Sequence, residues 1–399
     1  LIQANGRFSA FQPVAATAHP IVSAAPRLRR ALLAGVDGSR LPTSRENGVK
    51  AAIKTSEGTF DVSEAERPQL PGPGWVLVRV RVAGICGTDL RHWRKHEEEL
   101  AGCIMGHELA GDVVEVGSDV TNVAVGERVV VETVLGCGEC EWCRRLQYNL
   151  CPQLYPTRMK TVSRAYGQFL IAPAHHVHRL PEQVSYEEAA LVDTLSVCLH
   201  AQHLSELSIN DRVAIIGAGP IGLGQLMLAK ASGADVLIID IEDVGLKLAL
   251  ELGADVVINS TREDAEGAAK AFSGGRGLDI VFECAGGTSM PQTLPLATKM
   301  VRRGGKVVIV GGFDKGELAI PLEWQRIQMS EIKLIPSASF AFWGLDSEQG
   351  QVLELIGKGR LPVSKLITHR FPLDRINEAF DCGENKHETG AVFIAIEMD

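Results

Sequence analysis

The chain has 399 residues, 45% of them apolar and 22% charged, a length that fits about two domains. Its formal net charge of −9 argues against nucleic acid or an anionic membrane as the main partner. The 9 cysteines are an odd number, so complete internal pairing is impossible.

Residues 1–48 stand apart: they hold Arg7, Arg27, Arg29, Arg30, Arg40 and Arg45, much Ala, Ser and Pro, and no acid before Asp37. That composition suits an organellar transit peptide and equally a leader with no targeting role. An organellar peptide would normally be cleaved, so the second reading is preferred, and with it a cytoplasmic protein. Either way this segment is expected to be poorly ordered. A first domain opens at Val49-Lys50-Ala51-Ala52-Ile53. Val76 to Val82 alternates apolar and charged residues, the pattern of a half-buried strand, and Asp112 to Val116 and Arg128 to Glu132 repeat it. Residues 49–194 thus read as a mostly antiparallel β domain.

On a loop of that domain lie Cys137, Cys140, Cys143 and Cys151, as Cys-Gly-Glu-Cys-Glu-Trp-Cys followed by a longer gap. Two-residue gaps let a tight turn present neighbouring sulfurs to one ion, and four thiolates suit a closed tetrahedral zinc. The competing reading is a pair of disulfides, which an intracellular chain disfavours. His175, His176 and His178 look like ligands too, but strand alternation puts residue 176 on the opposite face, so a surface or core role is expected. Trp93 reads as packing, with the substrate cleft as the alternative.

After Asp193 the pattern changes. Val213–Ile216, Val236–Ile239, Val256–Ile258, Ile280–Phe282 and Val307–Val310 are short apolar runs separated by helix-length segments. This βαβ alternation predicts a parallel sheet covered on both faces over residues 195–335. The uncharged stretch Val213 to Ala229 is too short and too rich in glycine for a bilayer span. Gly217-Ala-Gly-Pro220-Ile221-Gly222 follows the first strand and opens a helix, the context in which this motif binds a dinucleotide. Gly217 permits the turn, Gly219 admits the pyrophosphate, and Gly222 lets helix and strand pack closely. Asp240 ends the second strand, where a carboxylate binds ribose hydroxyls and repels a 2′-phosphate. NAD is therefore expected rather than NADP. Gly304-Gly305 and Gly311-Gly312 flank a strand and read as turns. Residues 336–399 return to complete the first domain.

Cys86 in Gly-Ile-Cys-Gly-Thr-Asp89, His107-Glu108 in Gly-His-Glu-Leu-Ala-Gly111, and Asp193 complete a pattern. With the cysteine cluster and the glycine motif, the chain from Val49 onward resembles the zinc-dependent medium-chain dehydrogenase/reductase family, which includes alcohol, sorbitol, butanediol and threonine dehydrogenases. The resemblance implies an α/β protein of two domains, a GroES-like catalytic domain and a Rossmann coenzyme domain, forming a homodimer or homotetramer. It implies two zinc ions per chain. Cys86 and His107 would hold the catalytic one, with Glu108, Asp193 or the two in alternation as third ligand.

The same resemblance implies that Thr88 receives the substrate proton. Many relatives carry a histidine five residues after the cysteine; here that residue is Arg91, so His92 swings in or the route runs through the ribose and water. Glu283-Cys-Ala-Gly286 abuts the nicotinamide ribose in such proteins. The implied activity is hydride transfer between a secondary alcohol, diol or polyol and NAD, on a small-molecule substrate with no nucleic-acid or membrane partner. A primary-alcohol dehydrogenase of the same fold, or a non-catalytic structural or binding member, is the runner-up.

Overall fold

The computed structural model describes residues 48–93, 100–154, 164–312 and 318–398. Except for Gly48, the leader and its expected poor order lie outside them.

The β domain is built on one mixed sheet. Strands β1 (Gly48–Lys54) and β2 (Phe60–Glu66) form an antiparallel hairpin beside it. In β3 (Trp75–Gly84) the side chains of Val76, Val78, Val80 and Val82 are buried. Arg81 faces outward and pairs with Asp112 at 2.6 Å. β3 pairs with β4 (Glu108–Val116), which pairs with β5 (Arg128–Val131). β6 (Phe169–Pro173) pairs with β3, and β7 (Val177–Arg179) with β5. The chain then leaves to build a second sheet.

That sheet has six parallel strands: β8 (Arg212–Ile216), β9 (Asp235–Asp240), β10 (Val256–Asn259), β11 (Leu278–Glu283), β12 (Val301–Ile309) and β13 (Lys333–Pro336). Their order, β10-β9-β8-β11-β12-β13, is doubly wound, with the switch point between β8 and β11. One buried apolar cluster covers each face, as continuous apolar strands require. Beyond it come the small hairpin β14 (Phe342–Trp343) and β15 (Asp346–Ser347), then β16 (Ile367–Pro372) and β17 (Phe393–Glu397). β17 lies antiparallel to β3 and carries β16 with it, so the C-terminal segment finishes the first sheet.

Two sequence expectations change. β12 starts at Val301, so Gly304 and Gly305 lie inside the strand rather than in a flanking turn. A register shift opposite Leu278 and Ile280 absorbs them. Ala174–His176 is a 3₁₀ turn, so strand alternation does not separate the histidines. His176 Nδ1 and His178 Nε2 both approach the buried Glu132, at 3.8 and 3.3 Å. The core reading of His176 holds, and Trp93 is likewise core, packed on Phe380. Among the described residues no helix is long and apolar enough to cross a membrane.

Candidate metal and dinucleotide sites

Cys137, Cys140, Cys143 and Cys151 bring their sulfurs within 4.8 Å of one another. Cys140 and Cys143 lie 3.5 Å apart, and Cys137 and Cys143 4.0 Å. Zinc–sulfur bonds of about 2.3 Å imply a tetrahedral edge of about 3.8 Å. A disulfide needs about 2.05 Å, and all the cysteines are free thiols. Backbone N–H groups of Cys137, Cys140, Cys143 and Gln153 point at the sulfurs at 3.3–3.5 Å. The Cys143 N–H holds the Cys140 thiol down to about 7, the charge state a metal ligand needs. The lobe also buries a small apolar cluster, with Tyr148 against Phe340 and Ala341 from the returning chain.

A second cluster is assembled from separate segments. β3 ends at Gly84 and pairs in register with Glu108, the first residue of β4. That register lays Cys86, just past the end of β3, beside His107 and Glu108. Their ligand atoms lie within 4.8 Å of one another, and Asp193 is not in that set. His107 and Glu108 are 6% and 2% exposed. Asp193 lies in the first turn of the helix Val192–Ser205 nearby, and its Oδ2 accepts from Thr133 Oγ1 at 3.3 Å. Desolvation raises the Glu108 carboxyl to about 7, and burial with the Glu108 charge pushes the Cys86 thiol up. A buried thiol and carboxylate both forced toward their neutral forms are what a cation would reverse.

Supporting groups surround this cluster that the sequence did not reveal as such. Asp89 Oδ1 lies 3.6 Å from His107 Nδ1, and an N–H at Nδ1 leaves the lone pair of a neutral ring on Nε2, free for a metal. Asp89 Oδ2 accepts from Tyr166 Oη at 2.8 Å and from the Cys86 N–H at 3.3 Å. Thr194 Oγ1 donates to Glu108 Oε1 at 2.6 Å. Glu108 Oε2 is buried with no hydrogen-bond partner. An orphaned carboxylate oxygen beside a thiol and an imidazole fits a zinc ion. Asp89 sits three residues after Cys86 and could have been flagged; Tyr166 and Thr194 carry no motif.

Thr88 and His92 lie on the helix Gly87–Trp93. The hydroxyl of Thr88 accepts from Arg91 Nη2 at 3.0 Å. His92 is half-buried on the same helix.

The glycine motif forms the turn from β8 into the helix Pro220–Ala231. Gly217 has φ +104°, open to glycine alone at low cost, and a Cβ on Gly222 would collide with the Gly217 carbonyl. Pro220 opens the helix, and Ile221 packs on the core. A Cβ on Gly219 would meet nothing within 4 Å, because that position faces a cleft lined by Leu90, Gly219, Pro220, Asp240, Glu242 and Lys386. A helix N-terminus opening on such a cradle fits a dinucleotide diphosphate. Asp240 accepts backbone N–H groups from Ala218, Ile241 and Glu242, which fixes its carboxylate at the rim. Arg262, the nearby guanidinium, is paired with Asp243.

Two family models match the chain, an alcohol dehydrogenase GroES-like domain over residues 72–182 and a zinc-binding dehydrogenase over residues 220–357. The chain belongs to the zinc-dependent medium-chain dehydrogenase family. It is therefore an oxidoreductase acting on CH–OH groups. It is 34% identical to the D-arabitol-phosphate dehydrogenase of Enterococcus avium, covering 77% of this chain and 86% of that one. Sorbitol dehydrogenase of Bacillus subtilis (strain 168) is 35% identical, over 77% and 85%. A Sinorhizobium meliloti 1021 structure described as a zinc-binding dehydrogenase and bound to NADP superposes with a TM-score of 0.77. It is 28% identical and covers 88% of this chain and all of that one.

Proposed function

We propose that this medium-chain dehydrogenase oxidises a secondary alcohol, diol or polyol with NAD, using one zinc ion at Cys86, His107 and Glu108 and a second at Cys137, Cys140, Cys143 and Cys151. The observation that carries the reading is the orphaned Glu108 oxygen, buried beside Cys86 and His107. Bound there, zinc would supply the Lewis acidity that acidifies an alcohol, and NAD would supply the hydride acceptor.

The chain's own residues do the positioning. Asp89 orients the His107 ring, and Thr194 holds Glu108. Asp193, kept close by Thr133, stands as the alternate carboxylate. Thr88 receives the proton of the substrate hydroxyl. His92, four residues on, is the outer relay candidate of the sequence reading, and Arg91 competes with it for Thr88.

Asp240 supports NAD over NADP. Three backbone N–H groups hold its carboxylate, so it cannot swing away from a 2′-phosphate. Lys386 is a cation on the same cleft, and the Sinorhizobium relative binds NADP, so the choice rests on Asp240. The sorbitol and arabitol-phosphate relatives support a polyol or its phosphate ester as substrate. A cytoplasmic homodimer or homotetramer completes the reading.

A panel of sorbitol, arabitol, arabitol phosphate, butanediol and primary alcohols, followed by reduced-nicotinamide absorbance with each cofactor, tests this. Turnover of a polyol or diol with NAD, by protein holding two zincs per chain, is expected. Asp240→Ser should raise kcat/KM with NADP by about tenfold or more. Turnover by wild type with NADP alone would overturn the cofactor assignment, and one zinc per chain with no turnover would favour a scaffold.

A further inference from the structure

We propose that Arg91 is a positioning residue that fixes the Thr88 hydroxyl for proton transfer, standing where an ionisable relay group would otherwise sit. The inference rests on the role given to Thr88 above.

The helix Gly87–Trp93 puts residues 88 and 91 one turn apart, and Arg91 Nη2 donates to Thr88 Oγ1 at 3.0 Å. This is the one hydrogen bond of that guanidinium among the described residues, and no carboxylate there pairs with it. The other side of the guanidinium faces the end of the parallel sheet. A Cβ built on Gly312, just past β12, would come within 3.0 Å of Nη1 and 3.2 Å of Nη2. Gly312 thus lies against the cation, and a side chain there would oblige the guanidinium to give by a few tenths of an ångström.

A threonine hydroxyl has one proton to give and two lone pairs to fill. Arg91 fills one lone pair. Guanidinium has no acceptor and does not deprotonate near neutrality, so it cannot take the hydroxyl's proton. One lone pair remains for the substrate O–H, and the hydroxyl's own proton must point to a third group. The step then balances: the substrate O–H breaks as a new bond to Oγ forms. The original Oγ–H breaks in concert and delivers its proton to water or a ribose hydroxyl. Thr88 and Arg91 end as they began. The path has a direction without any titrating side chain.

The test uses the zinc-loaded holoenzyme with NAD and sorbitol, or whichever panel alcohol wild type oxidises fastest. Arg91→Leu should lower kcat by about ten- to a hundredfold with KM changed less than threefold. Arg91→Gln, which restores one donor, should recover part of that loss. Thr88→Val with Arg91→Leu should be no slower than Thr88→Val alone, because both act on one hydroxyl. Arg91→His should add to the kcat profile an ionisation near neutral pH beyond those wild type shows. The dissociation constant of NADH, read by nicotinamide fluorescence, should stay within twofold in every variant.

Wild-type kcat in Arg91→Leu, or multiplicative losses in the double variant, would overturn the proposal. A tenfold weaker NADH would overturn it too, assigning Arg91 to the cofactor. If Arg91→Leu does not fold, Arg91→Gln and Arg91→His carry the same comparisons. Failure of wild type to turn over any alcohol would count against the proposed function instead.

Discussion

The two ligand clusters are stabilised in opposite ways. In the cysteine lobe the surrounding donors are backbone N–H groups of the same short loop, from Cys137, Cys140, Cys143 and Gln153. At Cys86, His107 and Glu108 they are side chains from other elements: Asp89, Thr194 and Tyr166. A loop that supplies its own second layer has only to keep its spacing. A cluster gathered across strands depends on strand register and on residues with no motif. With a four-coordinate ion, the four-donor arrangement would be closed, while the three-donor one would keep a position open and could be tuned residue by residue.

The largest effect should come from breaking the local cluster. Cys143→Ser removes a buried sulfur around which the other three converge. Comparable structural sites contribute on the order of 10 kcal/mol to folding. Loss of one zinc per chain and rapid hydrogen exchange over residues 137–151 are expected, and unchanged exchange would deny the ion its structural role. Next is Cys86→Ala. It should also lose one zinc, cut kcat/KM by about 1,000-fold or more, and leave exchange in the lobe at wild-type rates. If both variants unfold alike, the contrast between the clusters is wrong.

The same contrast explains what could be read from sequence. Cys137 to Cys151 announce a metal through spacing alone, because the loop that carries them also folds them. Gly217 to Asp240 is similar: strand, turn, helix and next strand are contiguous, so Asp240 could be placed at the rim. Cys86 and Glu108 are 22 positions apart and meet because Gly84 pairs with Glu108, a register that no local pattern encodes. Asp193 shows the converse. A carboxylate at the right place in the chain is held by Thr133 outside the three-donor set, a side-chain contact invisible in sequence. The core role of His176 is legible but its reason is not, because a 3₁₀ turn replaces the expected strand there.

His176 also offers a smaller, pH-dependent test. It stacks edge-on with Tyr148, whose hydroxyl donates to Glu132, so it supports the cysteine lobe from behind. Burial pushes His176 down to about 3, with His175 and His178 adding to the shift. Its folded pKa lies below the unfolded value of about 6.5, so its stabilising share is full above that pH. The share is lost as pH falls toward 3, by about 2 kcal/mol at pH 5. Denaturant titration of wild type and His176→Gln between pH 7 and pH 4 should show a shallower decline in the variant. Parallel declines would remove His176 as a source of acid sensitivity.

The smallest effect should come from Thr194→Val. This change keeps shape and volume but removes the 2.6 Å hydrogen bond to Glu108 Oε1. If Glu108 completes the three-donor site, losing its orienting partner should weaken that zinc by about tenfold, the low end for such support. Competition with a chelator should then strip one zinc early and the other at the wild-type concentration. The lobe admits no equivalent experiment, since its orienting donors are peptide N–H groups that no substitution short of proline removes. A Thr194→Val protein that surrendered both ions together would mean that the clusters share their support. A protein that surrendered neither more easily would point to Asp193, not Glu108, as the working carboxylate.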